Sequence, residues 1–593
     1  MSNDFVFIPR DDEAGDLIEG WLTALNEAVS AGDTGALSAL FDDSSYWRDK
    51  AALTDTFLTS SGPEAIAEMF VSCAKTKNLT RISINEERCP PRFVERAGVR
   101  TAEAIIKFET DRDIGEGIVR IKTPEGEALP SAPKAWTLLT ALDEIKGHEE
   151  WRKVEDREES AFERAFHGPN WADKRRDAQA YEDRDPSVLI VGGGHGGLTA
   201  AARLVHLGVD TLIVDRMKRI GDNWRLRYHG LKLHNQITSN TLPYMPFPQH
   251  WPTYIPKDRI ANWLESYADA MEINFWTGTE FLGGSYDEDA GNWVVEVERD
   301  GQKRTLRPRH IIMATSVSGA PQLPDIPTLS NYKGTVQHSS EFSWGDQWKG
   351  KNVYVFGTGT SGHDITQDLH GSGANVTIVQ RSPTLIVNIE PSAQLYDGVY
   401  VGPGPSMEDR DLTNISFPFP VMRIAHKLIT DKVREIDGPL LEKLEARGFK
   451  LDFGEGGTGW PLKYRTRGGG YYFNAGCSEL IADGKVPLLQ YSDIDSFTET
   501  GFRLKSGEQR QADLLVLATG YKGQDYLTRQ LFGDEVADRV GKVWDIDDET
   551  QELINMWMPT PQKGLWYTGG AFAQCRLYSK YLARQILADL IEE

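Results

Sequence analysis

The spacing of apolar residues changes along the chain. Near the start, Leu17, Ile18, Trp21, Leu22, Leu25, Ala28 and Val29 recur at helical intervals. This predicts an amphipathic helix that stops at Gly32-Asp33. Ala104-Ile105-Ile106-Lys107-Phe108 and the run 136–142 read as strands, so residues 1–150 form a small α+β unit. The segment 151–185, with Asp173-Lys174-Arg175-Arg176-Asp177, is charged and weakly periodic. It reads as a helical linker with a solvated face. From Ser187 the pattern becomes short apolar runs, glycine turns and helices, the alternation of a parallel α/β sheet. Residues 293–299 followed by Asp300-Gly301 read instead as an inserted antiparallel hairpin. From 385 to 480 the chain is irregular and rich in Gly and Pro, with one strongly charged helix near 430–447 and no clear place on a sheet.

The apolar run Val188-Leu189-Ile190-Val191 leads into Gly192-Gly193-Gly194-His195-Gly196-Gly197 and a helix through Ala200, Ala201, Ala202 and Leu204. In a G-x-G-x-x-G loop the first glycine makes the tight turn, the second admits a pyrophosphate and the third lets helix and strand pack closely. The pyrophosphate then meets the free N–H groups and positive end of the helix. The next strand, Thr211-Leu212-Ile213-Val214, ends in Asp215. A carboxylate there accepts ribose hydroxyls and repels a 2′-phosphate. The strand–loop–helix–strand–acid order makes the motif specific where the glycines alone would be weak. His195 reads as a loop residue beside the phosphates.

The unit recurs. Val353-Tyr354-Val355-Phe356 precedes Gly357-Thr358-Gly359-Thr360-Ser361-Gly362, then a helix with Ile365 and Leu369, then Val376-Thr377-Ile378-Val379. This second strand ends in Gln380-Arg381-Ser382 with no acid. A guanidinium at that point can pair with an adenosine 2′-phosphate; the bland reading of Arg381 is a surface cation. One acid-ended and one arginine-ended unit imply two different dinucleotides: FAD in the first, and NADPH, with NADH also accepted, in the second. Flavin takes hydride from nicotinamide and does chemistry that nicotinamide cannot.

Composition removes other classes. Across 593 residues the net charge is −23, with 40% hydrophobic and 26% charged residues. Such a charge disfavours nucleic acid and membrane surfaces as partners. Cys73, Cys89, Cys477 and Cys575 show no paired spacing, which argues against a metal site or a dithiol centre. The opening MSNDFVFIPRDDEAGD has no basic stretch before an apolar run, and no apolar stretch nears the roughly 18 residues of a membrane span. The expectation is a cytoplasmic protein.

Tyr332, Gly334, His338 and Phe342, just before the second loop, resemble the F-x-G-x-x-x-H-x-x-x-(Y/F/W) signature of class B flavin-dependent monooxygenases, with Tyr at the first position. Gly221-Asp222-Asn223-Trp224 is similar to the family's G-G-x-W. The stretch from Leu231-Lys232-Leu233-His234 to Leu242-Pro243-Tyr244-Met245-Pro246-Phe247-Pro248 resembles plant auxin-forming flavin monooxygenases. Leu514-Leu515-Val516-Leu517-Ala518-Thr519-Gly520-Tyr521 resembles the family's A-T-G-Y strand, read as returning to the flavin domain. Ala314-Thr315-Ser316 is an earlier counterpart that departs at its last residue. Tyr46-Trp47-Arg48-Asp49 through Gly62 resembles the start of a SnoaL-like cone fold, and 136–147 its late strand. A cone fold ahead of a flavoprotein is similar to the type II flavin-containing monooxygenases.

The resemblance implies two Rossmann-type α/β domains preceded by an α+β cone-fold domain. The boundaries are 1–150 for the cone fold, 151–185 for the linker and 186–330 for the first part of the FAD-binding domain. The NAD(P)H-binding domain follows at 331–500 with the 385–480 insertion, and the second part of the FAD-binding domain at 501–593. It implies an FAD-dependent monooxygenase that consumes NAD(P)H and O2 through a C4a-peroxyflavin and oxidises ketones (Baeyer–Villiger) or N or S heteroatoms of small organic molecules. A homodimer is expected. A flavin reductase or oxidase without oxygen insertion, and a flavin-binding sensor, are the alternatives.

Expected cofactor contacts are Gly192, Gly194, Gly196, Gly197, Asp215, Arg216, Asn223, Trp224 and His234 for FAD. For the nicotinamide dinucleotide they are Gly357, Gly359, Thr360, Ser361, Gly362, Gln380 and Arg381, with Thr519 and Gly520 at the return. His234, Asn240 and His338 are the candidates for chemistry. His234 stands where an Asn is more usual, Asn240 is the alternative, and a structural tie is the favoured role for His338. Arg576 either faces the flavin or lies at a surface or helix start. No histidine occurs between 1 and 147, so the N-terminal unit lacks the Asp–His pair of catalytic cone folds.

Overall fold

The helix expected near the start spans Asp12–Ala31. Asp11 caps it by accepting from the Ala14 N–H, and Gly32 ends it in a left-handed conformation. Its apolar face (Ile18, Trp21, Leu22, Leu25) is buried against a sheet ordered Phe57–Ser61, Phe41–Lys50, Ala135–Ile145, Asp113–Lys122, Val99–Glu109 and Ser83–Ile84, with Arg92–Arg96 also on Val99–Glu109. Neighbours in this sheet are antiparallel except Phe41–Lys50 with Ala135–Ile145. The computed structural model describes residues 8–124, 126, 128–151 and 167–592. Most of the linker expected to be helical thus lies outside the described residues, and its described part carries the helix Trp171–Ala180.

Both glycine-loop strands lie at the centre of parallel five-stranded sheets. The first sheet runs Asn274–Trp276, Thr211–Val214, Val188–Val191, His310–Met313, Leu565–Tyr567. The second runs Thr335–His338, Leu514–Leu517, Asn352–Phe356, Asn375–Gln380, Leu488–Gln490. In each, the chain builds outward on one side of the glycine-loop strand and later returns on its other side. That reversal opens a crevice at the strands' carboxyl ends, where open α/β sheets bind ligands.

One expected allegiance is corrected. Leu514–Leu517 belongs to the second sheet, parallel to Asn352–Phe356, whereas 501 onward was expected in the first domain. An all-apolar run fits the middle of either parallel sheet, so its pattern could not distinguish them. The first sheet is completed later, by Leu565–Tyr567. The expected hairpin is Asn292–Arg299 with Gln302–Leu306.

The 385–480 segment does carry strands: Leu385–Asn388 and Tyr471–Asn474 pair in parallel. Its helix spans Phe419–Ala446, longer than the charged stretch, and its first turn buries Phe419 and Val421.

The N-terminal sheet is fastened to this body by buried charges. Arg48 holds Glu552 through Nε at 2.6 Å and Nη2 at 2.7 Å, and donates from Nη1 to the Ile415 and Phe417 carbonyls. Lys50 reaches the same carboxylate at 2.6 Å. All three side chains are almost fully buried. Burial and the neighbouring Arg48 lower the Lys50 pKa to about 7. A buried cluster of this kind fixes geometry more than it adds stability.

Candidate functional site

Two cradles of the same construction face the two crevices. Gly192 turns at φ +107° and Gly357 at φ +117°, conformations that only glycine adopts freely. A Cβ on Gly192 would lie 2.6 Å from the Ala314 carbonyl oxygen, and one on Gly357 would meet the Ala518 carbonyl. Each first glycine thus rests against the strand across the switch point. The two A-T segments of the sequence are the same structural element in two sheets. Gly197 and Gly362 pack on the carbonyls of Gly192 and Gly357. The helices His195–His206 and Thr360–Gly371 both start at a glycine with no side-chain cap, which leaves their first N–H groups for a diphosphate.

The first cradle fits a dinucleotide with free ribose hydroxyls. Asp215 is held by the N–H groups of Gly193 at 2.6 Å and Met217 at 2.8 Å, so its remaining lone pairs have a fixed aim. Arg216 beside it is exposed. Asn223 faces Gly194. Among the described residues, the buried indole N–H of Trp224 and Nδ1 of His195 have no hydrogen-bond partner. His195 stacks on Phe572 at 4.2 Å and its Nε2 meets the Gly570 carbonyl at 2.8 Å. Buried polar atoms without partners around an open glycine turn are what a bound polar ligand would satisfy. Gly196 has a further, structural reason: it packs against Cys575 Sγ of the helix Phe572–Glu592.

The second cradle differs at the strand end. Gln380 is buried, and its amide is fully engaged: Nε2 donates to the Lys450 carbonyl, and Oε1 accepts from Lys450 N–H and Gln490. Its side chain is therefore held by protein contacts at the point where a cofactor contact is expected. Arg381 next to it is exposed, its Nε only 3.4 Å from Ser382 Oγ. Among the described residues it has no carboxylate partner. Ser361 is half-buried at the helix start, and Thr360 Oγ1 donates to the Tyr471 carbonyl at 3.1 Å.

That contact connects the crevices. The strand Tyr471–Asn474 begins over the second loop at Tyr471 and, two residues on, lays Phe473 against the His234 ring at 4.5 Å. His234 follows the Gly221–Trp224 turn of the first unit. Burial lowers its pKa to about 4, so its imidazole is neutral at ordinary pH. Asn240 is buried and donates to the Asn235 carbonyl at 3.2 Å. The turn around it is pinned by Arg576, which donates to the Ser239 and Thr241 carbonyls and forms a two-point pair with Asp411. Arg576 is buried near the start of the helix Phe572–Glu592, so it is not the expected surface residue, and no sequence signal marked Asp411 as its partner.

His338 has a hydrogen-bond partner at each ring nitrogen. Its Nδ1 accepts from Ser340, and its Nε2 donates to the Gly520 carbonyl at 3.1 Å. Both nitrogens are engaged, and burial lowers its pKa, with the Gly520 contact opposing. Gly520 also receives the Gln322 N–H, and Thr519 Oγ1 donates to the Gln322 carbonyl at 2.6 Å. The signature residues thus lock the crossing between sheets: Tyr332 donates to Ala512 O, and Phe342 is buried in the second core.

This geometry agrees with the relatives. A profile of the flavin-binding monooxygenase-like family matches residues 185–397. The rice protein named indole-3-pyruvate monooxygenase YUCCA1 (Oryza sativa subsp. japonica) is 29% identical over 347 residues, 57% of this chain and 77% of that protein. The Arabidopsis thaliana protein named probable indole-3-pyruvate monooxygenase YUCCA9 is 30% identical over 339 residues, 56% of this chain and 74% of that protein. The chain belongs to the flavin-binding monooxygenase-like family. As a member it is an FAD-dependent enzyme that uses NADPH and O2. Among solved structures, a flavin-containing monooxygenase from Stenotrophomonas maltophilia matches 69% of this chain and 99% of its own at 16% identity, with a TM-score of 0.47. Among the described residues no helix is long and apolar enough to cross a membrane.

Proposed function

We propose that this flavin-binding monooxygenase-like protein inserts one oxygen atom of O2 into small ketones and oxidises N or S heteroatoms, with FAD on the first glycine loop and NADPH, or NADH, on the second. The observation that carries this reading is the strand Tyr471–Asn474, which runs from Thr360 of one cradle to His234 of the other. FAD, when bound, takes hydride from the nicotinamide and in its reduced form activates O2.

The chain's own residues set the terms. Asp215 orients the adenosine ribose of the first dinucleotide, and the uncapped helix starts hold both diphosphates. Arg381 supplies the charge that selects a 2′-phosphate. His234, neutral and flanked by Phe473, offers a hydrogen bond without a charge at the junction. Phe473 packs in turn against Trp460 and Tyr471, and an apolar wall of this kind protects reactive species from water. The cone-fold likeness of residues 1–150, the division into FAD and NAD(P)H domains and a homodimer are parts of the same proposal.

The plant relatives are named for indole-3-pyruvate, itself a ketone, so a screen should hold that compound beside a strained cyclic ketone and an aryl methyl sulfide. With 18O2, one labelled atom per product is expected. Consumption of NADPH that yields only H2O2 with every substrate would instead favour the oxidase alternative.

A further inference from the structure

Tyr228 belongs to the same loop as His234 but is buried in the core of the second unit, with Phe342 and Ile365. Its hydroxyl donates to Asp364 Oδ2 at 2.6 Å. Asp364 lies on the helix Thr360–Gly371 that starts at the second glycine loop, four residues beyond Thr360 and so about 6 Å along the axis. The neighbouring His229 stacks on Trp344 and takes its N–H to the Ser343 carbonyl. A loop of the first unit is thereby clamped onto the second unit's dinucleotide helix, and the same loop continues to His234.

We propose that Asp364 is a positioning residue for the second dinucleotide: through Tyr228 it fixes the His234 loop relative to the helix that receives the diphosphate. The inference rests on the second loop taking the nicotinamide dinucleotide.

The groups that face this carboxylate give it a distinctive signature. Burial pushes its pKa up to about 6, while the Tyr228 hydrogen bond and Arg227 pull it down. Tyr472 and Cys477, packed alongside, are a neutral phenol and a neutral thiol whose own pKa values are raised by burial. On its own helix, His363 is pushed by burial down to about 4 and is neutral, and Asp368 is bonded to the Gly345 N–H, with its pKa raised by burial. Among the described residues no full ion pair fixes Asp364 as a carboxylate. A diphosphate at the helix start adds negative charge and raises its proton affinity. Binding should therefore draw in a proton. The sign follows: the affinity gain is complete below the free-state pKa and is lost as pH rises through the bound-state pKa.

The test is calorimetric binding of NADP+ to the FAD-loaded protein near pH 6.5, in buffers of different ionisation enthalpy, for wild type, Asp364→Asn and Tyr228→Phe. Asn keeps an acceptor for Tyr228 but cannot titrate, and the 2′-phosphate's own proton is common to all three proteins. Wild type is expected to take up about half a proton more than Asp364→Asn. Tyr228→Phe, which removes a bond to the charged form, should move the uptake to higher pH and slow anaerobic flavin reduction by NADPH about tenfold. Equal uptake in wild type and Asp364→Asn overturns the inference while leaving the function intact. Failure of wild type to bind NADP+ at all overturns both. If Tyr228→Phe does not fold, the Asp364→Asn comparison decides alone.

Discussion

The two glycine loops are nearly superposable in logic and differ where it matters. Both turn at a positive-φ glycine that touches an alanine carbonyl across the switch point, and both open an uncapped helix. At the end of the next strand the first unit aims a carboxylate held by two N–H groups. The second buries Gln380 in the protein and leaves Arg381 outside. On the proposed function, backbone geometry makes each loop a diphosphate site, and one residue beyond the strand decides which dinucleotide it suits.

The contrast can be broken from several sides. The largest effect is expected from Gln380→Ala, which strands two Lys450 backbone groups and Gln490. Chemical denaturation should show a loss of about 3–5 kcal/mol, whereas Asp215→Ala should cost far less stability. A stable Gln380→Ala protein with altered NADPH affinity would make Gln380 a ligand residue after all. Next, Arg381→Ala should weaken NADPH by about 1.5–3 kcal/mol, roughly 10- to 150-fold, and barely change NADH; equal losses would mean that Arg381 does not read the 2′-phosphate. Asp215→Asn should lower FAD affinity by about 1 kcal/mol, measured by fluorescence of released flavin, with NADP+ binding unchanged.

The smallest effect concerns His234. Its folded pKa of about 4 lies below the ordinary histidine value, so unfolding takes up a proton. The stability it permits is whole above that ordinary value and is lost as pH falls toward about 4. At about pH 5.5 this share is roughly 1 kcal/mol, and thermal melts of His234→Asn should lack it. For the same reason no inflection in the product ratio between about pH 6 and 9 is expected from His234. One that disappears in His234→Asn would show that the imidazole is not held neutral.

The repeated unit was legible because strand, glycine turn, helix and strand each leave a local signature, and Asp215 and Arg381 stand at fixed offsets from it. What was not legible depends on contacts made at a distance. Leu514–Leu517 carries the same apolar run whichever sheet it joins. Gln380 and Arg381 are adjacent polar residues, and only the neighbouring Lys450 shows which of them points inward. Arg48 and Lys50 carry no local sign of burial; the Glu552 that meets them lies some 500 residues away. For His338 and Arg576 the residue types alone left the role open; their carbonyl partners come from remote segments that no local pattern reveals.

The asymmetry between the loops is tested most directly by hydrogen–deuterium exchange at the amides of 192–197 and 357–362, with the two dinucleotides added in turn to cofactor-free protein. FAD is expected to protect 192–197 alone, and NADP+ added afterwards to protect 357–362 alone. Protection of 357–362 by FAD, or of 192–197 by NADP+, would contradict the assignment of one dinucleotide to each cradle.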